Sequence, residues 1–234
     1  SEILLRLYQR QGLEATLPLL RGEFAFALFD RADDCLYLVR DRFGIKPQYW
    51  AMTPEGLVFG SELKVLFAHP AVERRFTSEG LFHQLMQTMV PGTTAFAGVH
   101  QVKPGHVLKV QRVNGRLQVS ESTYWDVDFP RKDERDLKRT EADHIAAVRA
   151  ALLEAVELRM VADVPVGCYL SGGIDSCSIL GLASAVSQAP VKAFTIGFDD
   201  VRYDESPIAR EMAEATGAEQ DLMRLSGQEL YGHM

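Results

Sequence analysis

The sequence predicts two successive units of different fold class, an α+β unit followed by a unit with a parallel α/β sheet. Three observations support this division. Residues 1–129 contain strand-like segments separated by turn residues, residues 130–139 form a charged segment, and residues 140–234 alternate apolar runs with helical patterns. Because alternating strands and helices are typical of parallel sheets with helices on both faces, we expect a doubly wound sheet in the second unit.

Composition and charge describe an ordinary globular chain. Of its 234 residues, 47% are hydrophobic and 24% are charged, and the formal net charge is −7. The charges are spread without a long basic run, so we expect no nucleic-acid partner. No apolar stretch reaches the roughly 18 residues of a transmembrane helix, and the first residues do not resemble a signal peptide. The sequence therefore predicts a cytoplasmic protein with no membrane partner.

The first unit is expected to start inside a helix. Ile3, Leu4 and Leu7 recur at helical spacing, and Gly12 is a suitable helix end. Since this pattern has no preceding segment, we expect the chain to be a fragment of a longer protein. Cys35 and the two later cysteines are odd in number and lack a C-x-x-C spacing, which argues against both a disulfide framework and a zinc site.

The strands of the first unit are predicted from alternating apolar segments that turn residues separate. "EFAFALFD" at 23–30 and "CLYLVRD" at 35–41 flank a polar turn, and "QYWAMT" and "LVFGSE" follow in the same way. We expect these four strands to form an antiparallel meander. A helix is predicted over 77–88, and Asn114-Gly115 between two further strands is a strong signal for a two-residue hairpin.

The second unit is predicted to begin with a capped helix after the charged linker 130–139. Thr140 precedes Asp143 by three residues, which approximates a capping box. The apolar runs 164–170 and 191–198 then read as parallel strands, each followed by a helix. Ligands of such sheets bind beyond the carboxyl ends of the strands.

The segment "SGGIDS" lies at one of these carboxyl ends. Gly172 and Gly173 allow backbone amides to approach an anion, and the hydroxyl groups of Ser171 and Ser176 are further donors at a helix start. Asp175 would repel a phosphate unless a cation lies between them, so its carboxylate suggests Mg²⁺. The alternative is a structural turn in which Asp175 caps the helix.

Several segments carry a resemblance to a known family. No Walker A motif occurs, and "SGGIDS" resembles the pyrophosphate loop of the ATP pyrophosphatases. "LRGEFAFALFD", "RDRFGIKPQYW", "VPGTTAFAGVHQVKPGHVL" and "YWDVDF" precede it in the order found in glutamine-hydrolysing asparagine synthetases. The resemblance implies part of an N-terminal-nucleophile glutaminase sandwich, followed by part of a doubly wound, adenine nucleotide hydrolase-like domain.

The resemblance also implies domain bounds, a reaction and a site. It assigns residues 1–129 to the glutaminase, 130–139 to a linker and 140–234 to the synthetase, which would convert aspartate, glutamine and ATP to asparagine, glutamate, AMP and pyrophosphate. ATP and Mg²⁺ are the implied cofactors, and a homodimer is one assembly that it allows. The matching ATP and pyrophosphate positions are Leu170, Ser171, Gly172, Gly173, Asp175, Ser176, Ile196 and Gly197, with Asp175 on Mg²⁺.

The chain departs from the family pattern by absences. The family's glutaminase uses an amino-terminal cysteine as nucleophile, and Ser1 is not that residue. A second glycine-acid loop of the ATP site is also missing. We therefore expect no catalytic residue in this chain and no activity of the chain alone. Two alternatives stay open: a related amide or lactam synthetase with another acceptor, and a non-catalytic nucleotide-binding scaffold.

Two charged clusters have structural explanations at least as good as catalytic ones. Arg40, Asp41 and Lys46 lie in a predicted turn between strands, where charged residues are common. Asp204 and Glu205 precede a predicted helix, where acidic side chains suit the helix dipole. The sequence leaves the roles of these five residues undecided.

Overall fold

The computed structural model describes residues 2–88, 90–134, 136 and 138–232. The chain divides into two compact units, Ser1–Pro130 and Arg131–Met234. At the described positions within 130–139 there is no helix or strand, and the expected linker includes residues 135 and 137, which lie outside the described residues. No described helix is both long enough and apolar enough to cross a membrane.

The first unit contains three α-helices and seven strands among its described residues. They are α1 (Glu2–Thr16), a short 3₁₀ helix (Leu17–Leu19), β1 (Ala25–Asp30), β2 (Cys35–Arg40), β3 (Tyr49–Thr53), β4 (Gly56–Gly60), α2 (Leu63–Leu66), α3 (Ser78–Leu85), β5 (Val99–Gln101), β6 (His106–Val113) and β7 (Arg116–Thr123). Gly12 has a φ of 79° and kinks α1 instead of ending it.

The predicted antiparallel pairs β1–β2 and β3–β4 are confirmed, but the single meander of four strands is wrong, because the two pairs belong to two sheets. One sheet has the order β1-β2-β6-β7 and the other has the order β4-β3-β5. Strand β2 therefore pairs with β6 and not with β3. Alternation of apolar residues specifies which face of a strand is buried but not which strand lies beside it. The predicted hairpin is confirmed, with φ angles of 50° at Asn114 and 77° at Gly115.

The two sheets of the first unit share a core. Leu38 and Leu108 of the four-stranded sheet are buried together with Val102, and the partly buried Trp50 and Leu57 of the other sheet pack against them. Burial of such side chains stabilises the unit by roughly 1.5–3 kcal/mol for each large residue. Two packed antiparallel sheets agree with the sandwich that the sequence led us to expect.

The second unit contains a parallel sheet and helices. Its elements are α4 (Glu141–Met160), β8 (Gly167–Tyr169), α5 (Ile174–Val186), β9 (Lys192–Phe198), α6 (Ser206–Thr216), β10 (Glu219–Leu225) and α7 (Gly227–Gly232). The predicted capping box of α4 is confirmed, since Thr140 accepts from the Asp143 amide and the Asp143 carboxylate accepts from Thr140. Strand β8 is shorter than the run 164–170, because Pro165 cannot donate a ladder hydrogen bond.

The parallel sheet is confirmed, but its predicted cover on both faces is absent from the described residues. The strand order is β10-β9-β8, so both crossovers step in the same direction. Helices α5 and α6 contact each other and share one core with Ala193 of β9. On the other face of the sheet, Tyr169, Phe194, Ile196 and Met223 are exposed. A doubly wound sheet requires the strand order to reverse, and these three strands do not reverse it.

Candidate functional site

The loop between β8 and α5 is shaped by Gly172. Its φ is 87°, a conformation that L side chains rarely adopt. A Cβ atom here would lie 3.0 Å from the Glu205 carbonyl oxygen and 3.3 Å from the Ala209 nitrogen, both at the start of α6. Glycine therefore allows the loop to turn and to pack directly on the beginning of α6.

Two serine hydroxyl groups hold the loop together. The Ser171 and Ser176 Oγ atoms lie 3.1 Å apart, and the Ser176 hydroxyl donates to the Gly173 carbonyl at 3.0 Å. The Gly173 N–H in turn points to Ser171 Oγ at 3.4 Å. The sequence pattern predicts that Ser171, Gly173 and Ser176 lie close together, and the fold places them in one small polar cradle.

Helix α5 begins in this cradle. Its N-cap residue is Gly173, which supplies no side-chain cap, so the interpretation of Asp175 as the capping residue is wrong. The first-turn amides of Ile174, Asp175 and Ser176 have no acceptor within the helix, and they carry the positive end of the helix dipole. Such a helix start attracts anions.

Asp175 is exposed in the first turn of α5. Among the described residues, no group of three or more His, Cys, Asp or Glu side chains is arranged to hold a metal ion. Asp175 would therefore be a single protein ligand to a cation, with the other ligands coming from phosphate oxygens and water. Mg²⁺ is commonly bound in this way.

The strand positions expected near adenosine differ in exposure. The Leu170 side chain is only 1% exposed and belongs to the core, so Leu170 can contact a ligand only through its backbone. Ile196 is 50% exposed at the carboxyl-terminal end of β9. Gly197 is buried, and a Cβ atom there would lie 3.2 Å from Asp204 Oδ1.

A buried threonine that sequence reasoning missed joins the strands beneath the loop. Thr195 is 2% exposed, and its hydroxyl donates to the Leu170 carbonyl at 2.9 Å. The Gln220 side-chain amide of β10 donates to the same hydroxyl at 3.0 Å. Hydrogen bonds thus connect the loop start, β9 and β10. The only signal in the sequence is one uncharged polar residue, Thr195, in the middle of the largely apolar run "VKAFTIGF".

Asp204 lies at the same edge of the sheet. Its carboxylate accepts the Ser206 N–H at 3.1 Å and lies 3.7 Å from the Arg224 guanidinium at the end of β10. Hydrogen bonding from Ser206, together with the charge of Arg224, lowers the pKa of Asp204. Glu205 is the N-cap residue of α6 but makes no side-chain cap. The helix-start interpretation thus fits the contacts of Asp204 better than those of Glu205.

The charged cluster of the first unit is engaged by the backbone. Arg40 is 4% exposed, and its guanidinium donates to the carbonyl oxygens of Lys46, Val102 and Gly44 at 2.9, 2.8 and 2.5 Å. The buried Asp41 carboxylate accepts four N–H groups, which belong to Phe24, Phe43, Ile45 and Lys46. These contacts support the structural interpretation of the turn.

The chain matches two families in succession. Residues 1–125 match the glutamine amidotransferase domain and residues 147–234 match asparagine synthase. Among solved structures, glutamine phosphoribosylpyrophosphate amidotransferase from Bacillus subtilis is 17% identical to this chain. The aligned region covers 94% of this chain and 38% of that protein. Its TM-score of 0.35 is too low to establish a shared overall fold.

Curated relatives align with nearly the whole chain. Amidase chry2 of Gibberella zeae and amidase chyE of Penicillium rubens are each 37% identical over 98% of this chain and 35% of their own length. Asparagine synthetase [glutamine-hydrolyzing] 3 of Bacillus subtilis is 30% identical over 100% of this chain and 39% of its own. The chain thus spans well under half the length of these relatives. With its glutamine amidotransferase domain followed by an asparagine synthase domain, this chain belongs to the family of the glutamine-hydrolysing asparagine synthetases.

Proposed function

We propose that this chain is part of an ATP-dependent amidotransferase that converts aspartate, glutamine and ATP to asparagine, glutamate, AMP and pyrophosphate. The observation that carries the proposal is the glycine-serine cradle at the start of α5, at the carboxyl edge of a parallel sheet. The order of the two family matches supports it, because an amide donor domain and an acceptor domain occur on one chain.

The cradle fits a pyrophosphate group. The hydroxyl groups of Ser171 and Ser176 and the amides around Gly172 and Gly173 are neutral donors that do not need to be deprotonated. A Cβ atom at Gly173 would meet only Ser171 Oγ, at 3.5 Å, so open space lies above the backbone there. Asp175 would hold Mg²⁺, which neutralises phosphate charge when it is bound.

The adenosine moiety would lie at the end of β9. In this proposal the exposed Ile196 side chain packs on the base, while the backbone of Gly197 and Leu170 binds its polar edge. Thr195 positions Leu170 through the hydrogen bond to its carbonyl. The Asp204 carboxylate lies beside Gly197 and orders the same strand end.

The proposal assigns residues 1–129 to the glutaminase, 130–139 to a linker and 140–234 to the synthetase. It assigns no glutaminase nucleophile among the described residues. Cys35 is fully buried, and burial raises the pKa of the Cys168 thiol, which disfavours the reactive thiolate. In this proposal, the nucleophile that releases ammonia from glutamine is therefore neither of these two thiols.

The test is Mg-ATP binding by the 234-residue chain, measured by isothermal titration calorimetry. We expect Asp175→Asn to weaken binding at least ~10-fold, which is about 1.4 kcal/mol, since one metal ligand is lost. Asp163→Asn, an exposed carboxylate in the segment before β8, is the matched control and should leave binding unchanged. Equal affinities of Asp175→Asn and the parent chain for Mg-ATP would refute the Mg²⁺ role.

A second candidate function has a specific observation in its favour. Two of the relatives at 37% identity are named amidases, so the acceptor could be an acyl group other than aspartate. The two candidates differ in the dependence of AMP formation on aspartate. In the complete protein with ATP and glutamine, aspartate-dependent AMP formation supports asparagine synthesis, and its absence supports another acceptor.

A further inference from the structure

The first unit contains a cavity of about 420 Å³ that the proposed nucleotide site does not use. This volume lies in the range of small-molecule sites, roughly 300–1,000 Å³. The cavity adjoins the start of β3 and the end of β5, and its lining includes Arg40, Tyr49, Phe76, Phe96 and Gln101. None of the residues that line it is acidic.

Arg40 brings a positive charge to this cavity. Its three hydrogen-bond partners are all neutral carbonyl groups, and none of its hydrogen bonds is to a carboxylate of the described residues. The neighbouring Asp41 carboxylate is occupied by backbone N–H groups. Burial lowers the pKa of Arg40, and the Asp41 charge offsets this only in part. A buried charge without a counter-ion is costly, and an anion in the cavity would remove that cost.

Arg40 still has hydrogen-bonding capacity. A guanidinium carries five N–H donors, and three of them account for the contacts with the carbonyl groups. The guanidinium donates to Val102, which directly follows Gln101. One N–H therefore remains on each of the two terminal nitrogens, and one of these nitrogens, Nη1, bonds Val102 directly after β5.

Two neutral polar side chains lie close to that point. Tyr49 and Gln101 are directly opposite each other in the β3–β5 ladder. Neither the Tyr49 hydroxyl nor the Gln101 amide forms a hydrogen bond with another described residue. A guanidinium, a phenol and an amide together match a carboxylate, which accepts several hydrogen bonds through two oxygens.

The rest of the wall is aromatic. The rings of Phe76 and Phe96 stack with centroids 4.7 Å apart, and Phe43 contributes a third ring to the lining. Aromatic walls favour a ligand with a flat or apolar body. A fully hydrated ion such as inorganic phosphate would leave these rings without a partner.

We propose that this cavity is a binding site for a small aromatic monocarboxylate. The carboxylate faces Arg40, Tyr49 and Gln101, and the ring packs against Phe76 and Phe96. The site lies in the glutamine amidotransferase domain and does not depend on the ATP site proposed for the second unit.

Benzoate and its neutral analogue benzamide test this site in the 234-residue chain. Ligand-observed NMR titration should show benzoate binding at least ~10-fold more tightly than benzamide, since only benzoate supplies the counter-charge. Tyr49→Phe and Gln101→Ala each remove one polar group without removing the structural guanidinium, and each should weaken benzoate binding ~3–10-fold. Gln118→Ala, on the exposed face of β7, is the matched control and should have no effect.

Each outcome decides the proposal. Benzoate binding that exceeds benzamide binding and falls in both site variants supports it, provided that their circular dichroism melting curves match the parent. Equal binding of benzoate and benzamide, no benzoate binding, or equal benzoate affinity in the parent and both site variants would each overturn it. Inorganic phosphate that binds this site more tightly than benzoate would also overturn it, because the aromatic walls would then have no role.

Discussion

Replacement of Gly172 by alanine tests two features of the glycine-serine cradle, the positive φ of Gly172 and its close packing against the start of α6. An alanine at a φ of 87° costs about 1–2 kcal/mol through backbone strain. Its Cβ atom would also meet the Glu205 carbonyl at 3.0 Å, and relief of such overpacking costs roughly another 1–3 kcal/mol. We therefore expect Gly172→Ala to reduce the free energy of unfolding of the second unit by about 2–5 kcal/mol.

Two other glycines separate the two contributions. Gly173 has a φ of −71°, and a Cβ atom there meets only a serine hydroxyl at 3.5 Å, so Gly173→Ala should cost less than about 0.5 kcal/mol. Gly217 has a φ of 66° with no atom within 4 Å of a Cβ position. Gly217→Ala should therefore show the backbone strain alone, about 1–2 kcal/mol.

The assay is hydrogen-exchange mass spectrometry of peptides between Gly167 and Thr216. Tryptophan fluorescence would follow the wrong unit, because Trp50 and Trp125, which are both tryptophans of the chain, lie in the first unit. Loss of protection should be largest for Gly172→Ala and smallest for Gly173→Ala. If Gly172→Ala were no more destabilising than Gly217→Ala, the close packing of the loop on α6 would be incorrect.

Two further predictions concern the first unit. Asp41→Asn places an amide donor against at least two of the four N–H groups that the carboxylate accepts. We expect this change to lower the free energy of unfolding by about 3 kcal/mol, measured by urea unfolding followed by tryptophan fluorescence. A loss below about 1 kcal/mol would contradict the described contacts. The hydrogen bond from Tyr8 to Asp30 raises the pKa of Tyr8 to about 12. Because the raised pKa favours the neutral phenol in the folded state, this contribution to stability is fully present below pH about 10 and is lost as the pH rises towards 12. Ultraviolet titration of the parent against Tyr8→Phe measures it, and ionisation of Tyr8 near pH 10 would disprove it.

Interactions between residues close in sequence were predictable from the sequence. The capping box of Thr140 and Asp143 and the Asn114-Gly115 hairpin need only neighbouring residues and their backbone preferences. The cradle at Ser171–Ser176 was predictable for the same reason, since its hydroxyl contacts span at most five residues. Local geometry is determined by residue type because few chain conformations satisfy these short-range hydrogen bonds.

Long-range partners were decided only by the tertiary structure. The sequence shows that Arg40 is charged. Its hydrogen bond to Val102, 62 residues later, holds that charge beside the cavity, and this contact is not visible in the sequence. Likewise, Thr195 meets Gln220 only because β10 pairs with β9 in one register. Apolar periodicity assigns a face to each strand, whereas the choice of neighbouring strand depends on the packing of the whole unit. For that reason the sequence by itself determined the glycine-serine cradle and the two kinds of sheet, and the tertiary structure decided the strand order, the exposed sheet face and the cavity around Arg40.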